Sequence, residues 1–324
     1  MLKYIIKRIL LLIPVLLGVS LVIFTIMHFV PGDPAKVLLG SENVTEAMLE
    51  AKRAELGLND PFIVQFGRFL KQTFIDFDFG QSYVTRTSVA TEIALRFPKT
   101  LLLAALCMVL QIIIGIPLGI IAATHQNGIA DRVCIILTIL GISLPQFWVA
   151  LMLVALFSLK LGLLPAFGWG GIKYLILPVA ALALNGISTI ARLTRTSMLE
   201  VIRSDFVVTA RAKGLKESRI IFVHALPNSI IPVIQSLGTS FGGCLGGAVV
   251  IENIFSIAGM GGYLTVGINN LDYPVIRSTV IVLALAFAIV MILVDLVFAF
   301  IDPRIKAQYS GQGKKSGKKV KANG

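Results

Sequence analysis

Residues 192–228 read RLTRTSMLEVIRSDFVVTARAKGLKESRIIFVHALPN, a stretch that sets seven Lys and Arg residues against only Glu200, Asp205 and Glu217. Strongly apolar segments flank it on both sides. A basic, partly amphipathic stretch between membrane-spanning helices reads as a cytoplasmic loop, because loops retained on that side carry the Lys/Arg excess. Its punctuation predicts internal structure. Ser204 or Asp205 caps a short helix through Lys213, Gly214 suits a left-handed turn, and Leu215 to Ala225 forms a second helix that Pro227 ends. Two short helices at an angle make a protruding knob. Phe206, Val207, Ile220, Ile221, Phe222 and Val223 are more apolar than a solvated loop requires, so the knob reads as a docking surface for a soluble partner.

The composition around this loop belongs to a membrane protein. Of 324 residues, 56% are hydrophobic and only 14% charged, with a mean hydropathy of +0.88, well outside the range of soluble domains. Apolar runs long enough to cross about 30 Å of hydrocarbon occur near 9–30, 100–124, 133–159, 174–191, 229–251 and 278–301. Six spanning helices follow. The first run follows Lys3, Lys7 and Arg8, continues to Val30 without a small-x-small cleavage site, and reads as an uncleaved first helix rather than a signal peptide.

The net charge of +12 raises the question of nucleic acid, and its placement excludes that partner. Lys3, Lys7 and Arg8 precede the first span, the knob holds the next cluster, and Arg304, Lys306, Lys314, Lys315, Lys318, Lys319 and Lys321 follow the last. With six crossings, both termini, the 125–132 loop and the knob fall on one side, which the positive-inside rule makes cytoplasmic. The basic charge is then explained by anionic membrane lipid. The tail 307–324 is rich in Lys, Gly and Ser and is expected to be disordered.

The segment 31–98 lands outside and is long enough to fold as a small cap. Asp60 as N-cap and Pro61 at the first helical position start a helix that puts Phe62, Phe66, Phe69, Leu70 and Phe74 on one face. An earlier helix, about Thr45 to Leu56, ends at Gly57, and the two are expected to pack together over the membrane mouth. Asp78-Phe79-Gly80 spells a kinase metal-binding tripeptide, a coincidence here because no catalytic or Gly-rich loop accompanies it.

Inside the membrane, Gly238, Gly242 and Gly246 recur every fourth residue, as do Gly243 and Gly247, and such rows let helix backbones approach closely. The same glycines would also permit sliding or bending. Pro14, Pro117 and Pro145 can kink their helices, and Gln111, Gln146, Asn185, Gln235, Thr239 and Ser240 are candidates for lining a pathway or for bridging helices. Cys107, Cys134 and Cys244 all lie in spans and read as small packing residues, with no disulfide framework. Asp295, deep in the last apolar run, is expected to pair with Arg304 or Arg8 rather than to relay protons.

From Ala210 to Pro227 the chain resembles the cytoplasmic motif of binding-protein-dependent ABC importer permeases, written Glu-Ala-Ala, three residues, Gly, nine residues, Ile, one residue, Leu-Pro. Ala210, Gly214, Leu226 and Pro227 match at that spacing, while Val208, Thr209 and His224 stand for the Glu, the first Ala and the Ile. Pro31-Gly32-Asp33-Pro34, Leu56-Gly57-Leu58, Asp78-Phe79-Gly80-Gln81-Ser82, Thr209-Ala210-Arg211-Ala212-Lys213-Gly214-Leu215, Asp272-Tyr273-Pro274-Val275-Ile276 and Asp302-Pro303-Arg304 look like the dipeptide, oligopeptide and nickel group of these permeases. The resemblance runs over about 1–306.

This resemblance implies an all-α, type I ABC importer permease-like fold in the bacterial inner membrane. The first helix would occupy 1–30, the external cap 31–98 and the permease core with five more spans 99–306, including a coupling-helix loop at 192–228. It also implies a second homologous permease subunit, two ATP-binding cytoplasmic subunits that hold ATP and Mg, and an external substrate-binding protein. This chain has no phosphate loop and no catalytic residue of its own, so energy enters through a partner at the knob. A secondary transporter would show inverted repeats and a channel a filter loop or charged ring; neither pattern is present. Di- or oligopeptides are the expected cargo and nickel the alternative. For nickel, His28 and Cys244 are candidate ligands, although two residues make no coordination set. The charge placement predicts that a tag inserted in 35–50 is reached by membrane-impermeant reagents from outside and one after Lys321 only from inside; labelling both from one face would refute six crossings.

Overall fold

Each long apolar run forms a helix because hydrocarbon offers no partner for backbone N–H and C=O groups, which must then pair within their own segment. The computed structural model describes residues 2–30, 32–40 and 44–301. Pro31, Asp302-Pro303-Arg304, the basic tail 307–324 and the side chains of Lys3 and Lys7 lie outside the described residues. The helices are α1 (Leu2–Phe29), α2 (Pro34–Leu39), α3 (Glu46–Glu55), α4 (Phe62–Phe74), α5 (Val89–Leu110), α6 (Ile116–Thr124), α7 (Ile129–Ser143), α8 (Gln146–Leu153), α9 (Ile172–Ile202), α10 (Asp205–Ala212), α11 (Glu217–Arg219), α12 (Leu226–Ile254), α13 (Met260–Asn269) and α14 (Tyr273–Ile301). π-helical turns at Gln111–Gly115, Val154–Lys160 and Ile220–Ala225 join or extend them.

Among the described residues, five continuous helical stretches are long and apolar enough to cross a membrane: Arg8–Phe29, Val89–Thr124, Ile172–Ile202, Glu217–Ile254 and Tyr273–Val297. The expected third span is instead α7 and α8, bent by 102° at Leu144-Pro145. Proline removes a helical N–H and disfavours the α region for the preceding residue, and Leu144 is accordingly extended, at ψ 126°. The bent pair still connects opposite faces. Before it, Gln126 accepts from Arg203 beside the knob at 3.2 Å; after it, the Gly168 N–H donates to the Phe255 carbonyl at the far end of α12. Counted as one passage, it makes six.

The proline at 117 does not break its helix, and neither does the one at 227. Each follows a π-helical turn, 111–115 or 220–225, whose wider i→i+5 pairing takes up the carbonyl four residues back that a proline ring would strike. The second knob helix therefore does not stop at Pro227: Glu217–Ile254 runs unbroken from the knob into the fifth span. The basic stretch 192–228 is correspondingly more helical than a loop, since α9 continues to Ile202 and only about 203–216 projects as a knob.

α9 is the axle of the bundle, packed against α5, α6, α7, α8 and α12. Leu177, Leu182 and Phe241 form one core with Leu103, Cys107 and Ile251 from α5 and α12. Below it, Ile190 meets Val233 and Leu237. α1 stands at the edge, leaning on α14, where Arg8 pairs with Asp295 at 2.7 Å as one of the two expected partners.

The cap differs from its expected pairing: α3 rests on α2, and α4 on α1. The aromatic face holds that second contact, with Phe62, Phe66 and Phe69 within 5.2–5.6 Å of the Phe24 ring. Asp60 does not cap α4; its carboxylate is drawn 2.5 Å from Arg68, while Pro61 takes the N-cap position and Gln65 reaches back to the carbonyls of Leu58 and Asp60. Thr45 caps α3, and Gly57 follows with a left-handed φ of +65°.

The glycine row of α12 divides between two environments. A Cβ on Gly242 would lie 2.6 Å from the Phe287 ring of α14, and one on Gly238 3.0–3.1 Å from Val294 and Met291, whereas Gly243 and Gly246 face open space. The first two glycines are internal packing. Gly242→Leu is therefore expected to lower the stability of the folded chain by about 1–3 kcal/mol, read as a fall in the unfolding midpoint of the purified protein. Gly246→Leu should leave that midpoint unchanged.

Candidate functional site

The knob begins where α9 ends. Ser204 turns the chain with its hydroxyl donated back to the Val201 carbonyl at 2.6 Å, so its side chain does not cap α10. α10 then lays Val207 and Ala210 on Ile220 and Leu215, a small apolar core of its own. Gly214 closes the turn at φ +77°, with open space where a Cβ would stand, so the backbone angle alone demands glycine. Its N–H donates to the Arg211 carbonyl at 2.9 Å. Across the turn, Arg211 Nη2 and Nε reach Glu217 at 2.5 and 3.2 Å. That exposed fork holds the Arg211 guanidinium above its ordinary pKa, so its charge is constant at any physiological pH.

Outward, the knob shows Phe206, Val208, Phe222 and Val223, each 47–58% exposed. Thr209, Arg211, Gly214 and Pro227 share that accessibility, Ala210 is buried, and Leu215, His224 and Leu226 are half-buried. Leu226 and Ile221 pack on Met198 and Ala123, joining the knob's root to α9 and α6. Exposed large apolar side chains such as these four are what a protein docking surface offers, since bare apolar patches mark interaction sites.

The membrane-buried candidates fall into two sets. Gln111 is buried: its amide nitrogen faces the Sγ atoms of Cys107 and Cys244 at 3.2 and 3.5 Å, and its oxygen accepts from Ser240 at 2.7 Å. Those sulfurs are 2.8 Å apart and belong to free, buried thiols, so the expected packing role holds for them, and Cys134 is buried as well. Gln146 donates to the Leu182 carbonyl at 3.4 Å and Asn185 to Ile142 at 3.3 Å; both bridge helices around the 102° bend. Gln111 is closed in by these contacts, while Gln146 and Asn185 stay half-buried. Gln235 and Thr239, by contrast, are exposed and stand one turn apart on α12, in line with Gly243 and Gly246. This stripe of small and polar residues is the one helix face where the sequence candidates remain uncovered.

Three ionic nodes went unread in the sequence. Glu252 is fully buried near the end of α12, accepting from the Thr100 hydroxyl and from the N–H groups of Gly261 and Gly262, so it joins α5 to the start of α13. Its signal was the glycines 259, 261 and 262: a Cβ on Gly259 would strike the carboxylate at 2.3 Å. Asp131 and Arg195 form a two-pronged pair at 2.5 and 2.8 Å between α7 and α9. Asp272 accepts from the Ser82 hydroxyl and the Tyr83 N–H, so two motifs far apart in sequence clamp cap to core. His28 stacks among Phe24, Phe29 and Phe62, while Cys244 lies beside Cys107. Among the described residues no three metal-binding side chains cluster.

Comparison with known proteins matches residues 115–307 to the family described as binding-protein-dependent transport system inner membrane component, and residues 1–104 to the N-terminal part of such membrane components. The dipeptide transport system permease protein DppB of Alkalihalophilus pseudofirmus is 40% identical over 94% of this chain and 100% of its own length. The glutathione transport system permease protein GsiC of Escherichia coli K12 is 39% identical over 94% of this chain and 99% of its own. Among solved structures, the inward-facing MetNI methionine ABC transporter overlays 65% of this chain and 96% of the matched chain with a TM-score of 0.55 at 15% identity, a likeness of fold.

Gly214→Val forces a β-branched residue into the left-handed region at a cost of roughly 1–2 kcal/mol. Backbone amides 205–216 should then exchange hydrogen faster while the spans keep their protection. Gly214→Asn, which tolerates that region, should exchange close to the wild-type rate.

Proposed function

We propose that this chain, which belongs to the family of binding-protein-dependent transport system inner membrane components, works as one half of the membrane pathway of a peptide importer driven by ATP on its partners. The observation that carries the reading is the joint occurrence of a peptide-permease relationship over 94% of the chain and a rigid knob continuous with a spanning helix. The chain is a permease subunit; two cytoplasmic ATPases would supply ATP and Mg, and an external binding protein would supply the peptide. A second, homologous permease completes the pathway in this reading. The exposed stripe of Gln235, Thr239, Gly243 and Gly246 suits either its contact or the peptide route.

The knob would be the coupling element, with Val208, Thr209, Arg211 and Gly214 toward an ATPase cleft and Ala210, Leu215, His224, Leu226 and Pro227 fixing its frame. The multi-pass chain sits in the inner membrane with both termini cytoplasmic and the cap 31–98 outside, the orientation that the Lys/Arg distribution favours. The same division separates the first helix, 1–30, from the permease core, 99–306. Nothing favours nickel: the relatives carry dipeptide and glutathione names, and His28 and Cys244 lie in separate surroundings.

Reconstitution in vesicles with the two ATPases, the second permease and the binding protein tests the function. Dipeptide should accumulate only with ATP, and Gly214→Val should reduce uptake and binding-protein-stimulated hydrolysis by about tenfold or more, as a coupling loss of about 1.4 kcal/mol requires. Normal stimulated hydrolysis in that variant would remove the knob as the coupling element, and ATP-dependent nickel uptake without peptide uptake would overturn the substrate.

A further inference from the structure

A cavity of about 680 Å³ opens between the outward end of α1, the cap helices and the first turn of α14. Three arginines border it, and two are already engaged. Arg53 binds Asp33 at 2.6 and 3.0 Å, and Arg68 binds Asp60 at 2.5 Å. Burial would raise the Asp33 pKa, yet the hydrogen bonds from Arg53 and the Ala35 N–H outweigh it and hold the carboxylate below its ordinary value, so Asp33 stays ionised and committed to Arg53. The third, Arg277, has neither hydrogen bond nor ion pair to any described residue; its guanidinium lies over the Phe69 ring at 5.0 Å. Tyr83 and Tyr273 line the same space, and neither hydroxyl has a hydrogen-bond partner among the described residues. A half-buried guanidinium with no ion pair, reached by the Asp78 charge only at longer range, beside two free hydroxyls is a site for an oxyanion, because desolvating a cation without a contacting counter-charge is costly.

The depth of the cavity decides which oxyanion. Arg277 stands about one turn inside α14 from Tyr273, and the wall across from it is Phe24, Met27 and His28 at the end of α1. The cap around it exposes Ile63, Ile75 and Phe77 at 70–80%, as a cap resting on the bilayer surface would, and α1 presents Val22, Ile26 and Phe29 to the surroundings alongside. At the ends of spanning helices, next to apolar surface, the abundant oxyanion is a lipid phosphate. We propose that this cavity binds a phospholipid headgroup, its phosphate oxygens taken by Arg277 and the two tyrosine hydroxyls and its glycerol end laid on Phe24 and His28.

The test uses the assembled importer in neutral detergent. Short-chain phosphatidylglycerol should raise the unfolding midpoint of the wild-type complex, whereas a diacylglycerol of the same chain length and inorganic phosphate should not, and Arg277→Gln should lose the response. Lipid mass spectrometry of the purified complexes should find a phospholipid retained by wild type and lost from Arg277→Gln. An equal response to diacylglycerol, an unchanged response in the variant, or stabilisation by inorganic phosphate or a dipeptide alone would each overturn the proposal, the last by assigning the site to a soluble anion. Should Arg277→Gln fail to assemble, the wild-type comparison of phosphatidylglycerol with diacylglycerol decides by itself.

Discussion

A backbone N–H or C=O left unpaired in hydrocarbon costs several kcal/mol, and the arrangement of this chain follows from that constraint. Long apolar runs become helices, and Pro14, Pro98, Pro178 and Pro232 sit within them, while at three other prolines the pairing changes. At Pro117 and Pro227 the adjustment is a preceding π-helical turn. At Pro145 the helix bends by 102° instead, and the polar groups around that corner are met by Gln146 and Asn185 reaching carbonyls of neighbouring helices. These two amides thereby help to hold the bend.

Continuity through Pro227 gives the knob its mechanical meaning. Glu217–Ile254 spans 38 residues, about 57 Å at 1.5 Å per residue, from the knob at one end to the buried Glu252 near the other. Glu252 in turn joins α5 and the start of α13, and Asp272, after α13, clamps the cap. A displacement at the knob therefore has an uninterrupted helix, and a hydrogen-bonded joint at its far end, through which to reach the cap side. Had Pro227 ended the helix, the knob would have hung on a hinge.

The exposed surfaces divide by chemistry in the same way. The knob offers exposed apolar side chains, suited to a protein. The stripe along α12 offers small and polar groups, suited to close helix approach or to a polar solute. The cap offers bulky apolar residues over a cavity that holds one arginine without an ion pair, suited to the membrane boundary. Internal faces use up the rest: Gly238 and Gly242 exist for Met291, Val294 and Phe287.

The sequence by itself determined the class of molecule and the glycine turn of the knob, because hydropathy over twenty residues and a left-handed φ are local properties. It also carried the family, through short motifs at both membrane faces. Only the tertiary structure decided which polar residues are spent on packing and which remain free. Gln111 and Gln235 are the same residue type in comparable apolar surroundings, yet one is closed in by Cys107, Cys244 and Ser240 while the other is exposed. Likewise Arg53 and Arg68 each hold a carboxylate in an ion pair, while Arg277 beside the same cavity holds none. Such distinctions depend on side chains brought together from helices far apart in the chain, and no local pattern encodes them.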